Sequence, residues 1–239
     1  MSPWTGEAAV LADRVAAWVI GSLAGHAPEP FDALAADLHR WQVAHDPVLA
    51  SLVEEDGRIP AVPVGLFRDP GVGTAGADAP IVFRTSGTTD ARRGEHRLRS
   101  TALYDLGAVR WARRCVPHLP GRVEALLEDP ALKPDSSLSH MVASFGPARW
   151  HVRDGHVDAD ALARGWSGPA FVPCTAFALA EWLEHAPKPL PTGSVLMVTG
   201  GYKGRIRTIA ADDLVREARG RLRPSAFVTE YGMTELSSQ

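Results

Sequence analysis

The chain has 239 residues, a formal net charge of -3 and a hydrophobic share of 45%. These values fit one large or two small soluble domains, and they give no reason to expect nucleic acid or membrane partners. The two cysteines, Cys115 and Cys174, lie far apart in the sequence, so neither a disulfide framework nor a zinc site is expected. The sequence has no signal-peptide pattern, and its longest apolar run is shorter than the roughly 20 residues that span a bilayer. The chain is therefore predicted to be cytoplasmic.

The amino-terminal part of the chain is predicted to be helical. Apolar residues recur at helical spacing over residues 7 to 24 and again after Pro30, which predicts a helical N-terminal cap over residues 1 to 56. Residues 57 to 80 contain several Gly and Pro, and they are predicted to form an extended connection.

Strands and helices alternate through the rest of the sequence. The apolar run at residues 80 to 83 predicts a strand that leads into "TSGTT", and Ser100 is a suitable N-cap for a helix through Arg114. The later elements are predicted in the order strand 170 to 173, helix 175 to 185, strand 194 to 201, helix 212 to 222 and strand 225 to 232. This alternation predicts parallel βαβ units within an α/β core over residues 57 to 239.

Three loops are expected to lie at the carboxyl ends of these strands, where open α/β sheets bind ligands. They are Thr85 to Thr89, Gly200 to Arg205 and Tyr231 to Glu235. Because the carboxyl ends of parallel strands meet at one edge of a sheet, we expect a single site there. Each loop also fits an ordinary structural role, as a Ser/Thr/Gly turn, a tight glycine turn and a helix cap respectively.

These loops carry groups that suit a magnesium-bound nucleotide. The hydroxyls and amides of "TSGTT" would donate to a polyphosphate, although their spacing is not that of a Walker phosphate loop. Gly200 and Gly201 would let a planar base lie against the backbone, and Lys203 offers a cation. Tyr231 offers a flat aromatic face, and Glu235 is a hard oxygen ligand of the kind that Mg²⁺ prefers.

The order of the motifs resembles that of a known superfamily. "TSGTT" followed far downstream by "YGMTE" resembles the adenylate-forming enzymes, among them acyl-CoA synthetases, luciferases and peptide adenylation domains. The segments "SSLSHMVASFG" (136 to 146), "VTGGYKGR" (198 to 205) and "EYGMTELSSQ" (230 to 239) are similar to the acyl-protein synthetase of bacterial bioluminescence, the LuxE-like family. The resemblance covers roughly residues 30 to 239.

The resemblance implies a fold and an activity. The fold would be α/β, with layered sheets flanked by helices like part of the large N-terminal domain of adenylate-forming enzymes, and with a helical N-terminal cap. The activity would be that of a ligase, which uses ATP and Mg²⁺ to convert a carboxylic acid, such as a fatty acid, into an acyl-adenylate for transfer to a thiol. Expected partners are the acid or acyl substrate and either a carrier protein or a separate C-terminal polypeptide.

The family's functional residues carry over onto matching positions of this chain. The phosphate-binding loop corresponds to Thr85, Ser86, Gly87, Thr88 and Thr89. The glycine-rich stretch along adenine corresponds to Gly200, Gly201 and Tyr202. The aromatic motif corresponds to Tyr231, Gly232, Thr234 and Glu235.

Individual roles follow from the same resemblance. Thr234 would meet the α-phosphate, and Glu235 would bind Mg²⁺, so that both are catalytic candidates. Lys203 is also a catalytic candidate because of its cation, a role that the resemblance does not assign. Arg149 is a further basic candidate for the site, and His140 is expected to line the acyl pocket.

The chain departs from the family pattern at two places. Asp90 stands where many relatives carry glycine, and Arg92 or Arg93 would have to compensate for its charge beside a triphosphate. The sequence ends at Gln239, where relatives continue into a C-terminal domain, so that domain is expected to be absent. Three interpretations stay open: a piece of a longer synthetase, a short protein with a separate second half, or a non-catalytic homologue that binds adenylate or carrier protein.

Overall fold

The computed structural model describes residues 4–53, 58–68, 71–85, 93–200 and 211–233. The chain divides into two compact units, of which the first contains the described part of Met1–Cys115 together with Met233, and the second contains that of Val116–Gly232. None of the helices in these ranges has the length and apolar character needed to cross a bilayer. The predicted boundary between residues 56 and 57 lies outside the described residues.

The first unit contains the predicted amino-terminal helices. Its helical elements are α1 (Gly6–Leu23), α2 (Phe31–His45), α3 (Pro47–Ala50), a 3₁₀ helix (Val64–Arg68) and α4 (Ala102–Cys115). Helix α1 packs against α2 and α4, and Leu11 and Leu34 are buried. The prediction of two helices here is confirmed, while the predicted extended connection contains the 3₁₀ helix.

A β-hairpin completes the first unit. Strand β1 (Ile81–Arg84) pairs antiparallel with β2 (Glu95–Leu98), and within the described residues it pairs with no other strand. The predicted strand before "TSGTT" is thus present, but it belongs to an antiparallel pair and not to the parallel sheet. The sequence "EHRL" of β2 lacks an apolar pattern, and a close antiparallel partner needs only a short connection.

The second unit is built on a mixed sheet. Its strands are β3 (Val123–Glu128), β4 (Ala148–Arg153), β5 (His156–Val157), β6 (Phe171–Thr175), β7 (Val195–Thr199) and β8 (Ala226–Glu230). In the described ranges these six strands follow the order β5-β4-β3-β6-β7-β8. Only the β4–β5 pair among them is antiparallel, so the predicted parallel units are confirmed.

Four helices flank this sheet within the described residues. They are α5 (Ser137–Ser144), α6 (Ala159–Arg164), α7 (Ala176–Glu184) and α8 (Ala211–Leu222). The side chains of Ser136, Asp158 and Thr175 accept hydrogen bonds from backbone N–H groups in the first turns of α5, α6 and α7, which satisfies donors that a helix start leaves unpaired.

The hydrophobic core of the second unit packs the parallel strands against the flanking helices. Strand β7 is buried along its whole length, as expected for a parallel strand covered on both faces. Leu126, Val172, Leu179, Leu196 and Leu214 share one buried cluster between the sheet and its helices. Each such side chain contributes about 1.5–3 kcal/mol to folding. The protein is therefore a mixed α/β structure in which helices flank a packed sheet.

Candidate functional site

The ends of β7 and β8 bring two predicted site residues onto one edge of the sheet. Thr199 and Glu230 are the last residues of these parallel strands, and they are register partners. Gly200 and Tyr231 follow them directly along the chain. The strands therefore place the beginnings of the "GGYKGR" and "YGMTE" segments at neighbouring positions on the carboxyl edge.

A side-chain hydrogen bond joins the two strand ends. The hydroxyl of Thr199 donates to Oε2 of Glu230, and Thr199 is buried. The other carboxyl oxygen of Glu230 is buried and has no hydrogen-bond partner in the described part of the chain. Burial raises the pKa of Glu230, and the hydrogen bond from Thr199 opposes that rise. Sequence reasoning missed both residues.

Gly200 and Tyr231 have the local properties that a flat ligand requires. Gly200 has a φ of 89°, in the left-handed region, and among the described residues no atom beyond its chain neighbours lies within 4 Å of the position that a Cβ would take. Backbone conformation rather than crowding therefore favours glycine there. Tyr231 is 81% exposed, and Gly232 beside it is also exposed. A planar group would meet an open aromatic ring and a backbone without a side chain.

Thr85 closes the base of the β1–β2 hairpin. Its backbone N–H donates to the carbonyl oxygen of Gly94, and its hydroxyl oxygen accepts from the Gly94 N–H, both at 3.0 Å. The carbonyl of Thr85 accepts from Nε of Arg93 at 2.7 Å. The amide of Thr85 and an acceptor site of its hydroxyl are thus engaged within the hairpin.

Thr85 belongs to the first compact unit, and Gly200 and Tyr231 belong to the second. Their convergence on a single ligand stays a prediction. Nine other predicted site residues lie outside the described residues: Ser86, Gly87, Thr88, Thr89, Gly201, Tyr202, Lys203, Thr234 and Glu235. In the part that is described, no group of three or more His, Cys, Asp or Glu side chains has the arrangement of a metal site.

His140 and Arg149 lie on different elements of the second unit, the helix α5 and the strand β4. His140 is half-buried on α5, a helix that begins after the carboxyl end of β3. Arg149 is the second residue of β4 and is the register partner of Glu124 near the amino end of β3. The structure therefore places Arg149 at the edge opposite Gly200 and Tyr231, and it does not join them.

The sequence pattern also did not predict a buried charged cluster near the amino edge of the sheet, formed by Arg122, Glu124 and His151. Glu124 is 1% exposed, and its Oε1 accepts from Nε of Arg122 at 2.6 Å. Its Oε2 lies 2.7 Å from Nε2 of His151, which is buried as well. A glutamate inside the apolar run "VEALL" was the available signal, because a buried carboxylate requires partners.

The buried cysteine has a structural environment. The thiol of Cys174 donates to the carbonyl oxygen of Met197 at 3.3 Å. Complete burial raises the pKa of the Cys174 thiol, so the thiolate that a nucleophile needs is disfavoured. Cys115 is exposed at the end of α4.

No protein-family model, curated protein or solved structure gives a match to this chain. The functional interpretation therefore depends on the motifs and on the geometry of the strand ends.

Proposed function

We propose that this chain is the nucleotide-binding part of an adenylate-forming ligase that activates a carboxylic acid with ATP and Mg²⁺. The observation that carries the proposal is the adjacency of two motifs at one sheet edge. Gly200 opens the glycine-rich segment and Tyr231 opens the aromatic segment, and they follow paired residues of neighbouring parallel strands. Ligands of open parallel sheets bind beyond this edge.

The described residues fit the planar part of the nucleotide. The exposed ring of Tyr231 would stack on the base, and the backbone at Gly200 would approach its other side closely. The Thr199–Glu230 hydrogen bond ties the two strand ends together. A site held in its binding geometry loses less conformational freedom when the ligand arrives.

The reaction would proceed by substitution at phosphorus. A carboxylate oxygen of the acid forms a bond to the α-phosphorus, and the bond to the pyrophosphate oxygen breaks with its electron pair leaving on pyrophosphate. The protein's contribution is to position the two anions and to offset their charge. Thr234 is proposed to donate to an α-phosphate oxygen, Glu235 to hold Mg²⁺, and Lys203 with the "TSGTT" segment to offset phosphate charge.

Acid-dependent exchange of label between pyrophosphate and ATP tests this function. The full chain is assayed against a panel of carboxylic acids, alone and with a supplied C-terminal domain of an adenylate-forming enzyme. At least one acid is expected to support exchange. Glu235→Gln should lower that exchange at least about 100-fold, because a metal ligand contributes several kcal/mol of charge stabilisation.

Calorimetric titration with ATP, read together with the exchange assay, distinguishes the ligase from a non-catalytic homologue that only binds the nucleotide. Tyr231→Ala is expected to weaken ATP binding about tenfold, since base–aromatic stacking contributes about 1–3 kcal/mol. Trp111→Ala, which removes an aromatic side chain that is 54% exposed on α4, is the matched control and should bind ATP like the wild type. ATP binding without exchange for any acid would identify a non-catalytic binding homologue. Absence of ATP binding would overturn the proposal.

A further inference from the structure

A cavity of about 440 Å³ lies at the amino edge of the same sheet. Its walls include the loop that joins α6 to β6 and the loop that joins α7 to β7. Both loops precede parallel strands, so the cavity lies at the opposite edge from Gly200 and Tyr231. A strand of five residues separates the two edges by about 16 Å. The cavity is therefore distinct from the proposed nucleotide site.

The lining of the cavity combines two cations with apolar surfaces. Arg164 and Lys188 line it, and neither forms an ion pair within the described ranges of the chain. The apolar part includes Trp166 and Trp182, whose rings stack with centroids 6.4 Å apart, and Leu190. Two exposed cations without an ion-pair partner among the described residues, beside the half-buried ring of Trp166, suit an anion attached to a flat apolar body.

The buried charged cluster described above holds one wall of this cavity. The ring of His151 stacks on Trp166 with centroids 6.3 Å apart. Arg122 donates from a terminal nitrogen to the carbonyl oxygen of Ser167 at 3.3 Å. Both Arg122 and His151 also bind the carboxylate of Glu124. The cluster thus connects to two consecutive wall residues, which fixes the wall before a ligand arrives and lowers the cost of binding.

We propose that this cavity binds a small arylcarboxylate. Its carboxylate would lie between Arg164 and Lys188, because a guanidinium pairs with a carboxylate through two parallel hydrogen bonds. Its ring would lie against Trp166 and Leu190. The volume falls within the range of roughly 300–1,000 Å³ that is usual for small-molecule sites. This site does not depend on the proposed ligase activity.

The proposal is tested first on the wild-type full chain, by calorimetric measurement of its affinity for three small molecules. The probes are 2-naphthoate, its neutral analogue 2-naphthamide, and inorganic phosphate. 2-Naphthoate is expected to bind at least about tenfold more tightly than 2-naphthamide, and phosphate should not displace it. Equal affinity for the acid and the amide would overturn the proposal, and so would displacement of 2-naphthoate by phosphate.

A pair of charge variants then locates the binding. The double variant Arg164→Gln/Lys188→Gln is expected to weaken 2-naphthoate binding at least about tenfold. The control Arg113→Gln/Arg114→Gln removes two positive charges from exposed positions on α4, and its affinity should equal that of the wild type. An equal loss in both double variants would indicate non-specific attraction by net charge and would also overturn the proposal.

Discussion

Each edge of the sheet contains a glutamate with at least one buried carboxyl oxygen, Glu124 at the amino edge and Glu230 at the carboxyl edge, and the two differ in their hydrogen-bond partners. At the amino edge, both oxygens of Glu124 bond cationic or imidazole donors from Arg122 and His151. At the carboxyl edge, Glu230 has one oxygen bonded by the hydroxyl of Thr199 and one without a partner in the described residues. The carboxylate of Glu124 connects the cavity wall to the sheet, whereas Glu230 keeps one acceptor without a partner among the described residues.

The largest effect is expected from breaking the satisfied cluster. Glu124→Ala leaves His151 and Arg122 without their carboxylate, and removal of one partner of a buried pair costs about 3 kcal/mol or more. Urea unfolding followed by circular dichroism should show this loss. Glu128→Ala on the same strand removes a partly exposed pair with Lys133 and should cost about 1 kcal/mol or less. Equal losses in the two variants would show that the cluster has no special structural role.

A smaller effect is expected at the open edge, from Gly200→Ala. The methyl group meets no neighbouring atom in the described structure, but it forces a side chain into the left-handed region. The cost should be about 1–2 kcal/mol in the free energy of unfolding. Gly107→Ala is the matched control, since Gly107 lies inside α4 and a Gly-to-Ala substitution there brings the new Cβ within 4 Å of no other described atom outside the helix's own backbone. That variant should gain about 0.5–1 kcal/mol. A gain at both positions would contradict the observed backbone at Gly200.

The parallel half of this sheet follows from the sequence, while the strands around the buried cluster do not. "AFVP" and "SVLMVTGG" are continuous apolar runs separated by a helical pattern, and such runs are typical of strands buried on both faces. In strand β3, "VEALLE", Glu124 is the second residue and Glu128 the last, so only three consecutive apolar residues remain, too few to indicate a buried strand. The sequence pattern therefore did not predict β3 or its parallel partner β4.

The sequence predicts part of the candidate site, namely which residues lie at the strand ends, but not how the strands pair. The apolar patterns predict that Gly200 and Tyr231 lie at the carboxyl ends of strands, but they do not give the register that pairs Thr199 with Glu230. A shift of one residue would turn Glu230 to the opposite face of the sheet and remove the hydrogen bond. The wall contacts of Trp166 join residues that are far apart along the chain, and no local pattern encodes them.

The smallest expected effect is a change in the pH dependence of stability when Glu230 is replaced. Because the folded pKa of Glu230 is raised by burial, its ionisation opposes folding, and the penalty grows as pH rises above the ordinary glutamate value. Glu230→Gln keeps an acceptor for Thr199 and should gain stability relative to wild type as pH rises. The difference between the two proteins should shrink in acid.

Glu95 provides a control of opposite sign. Hydrogen bonds from Arg97 and Arg84 lower the pKa of Glu95, so its ionised form stabilises the fold above the ordinary glutamate value, and this stabilisation is lost as pH falls through the lowered pKa. Glu95→Gln should lose stability at neutral pH and approach the wild type in acid. Thermal unfolding midpoints across pH measure both variants, and the same sign of change for both would contradict these assignments.

A titration of ATP and Mg²⁺ into the ¹⁵N-labelled full chain, followed by amide chemical shifts, tests the proposed nucleotide binding at the carboxyl edge most directly. The amides of Gly200, Tyr231 and Gly232 are expected to shift with saturation, while those of Trp166 and Ser167 stay in place. Shifts at Trp166 and Ser167, with Gly200 and Tyr231 unchanged, would contradict nucleotide binding at the carboxyl edge.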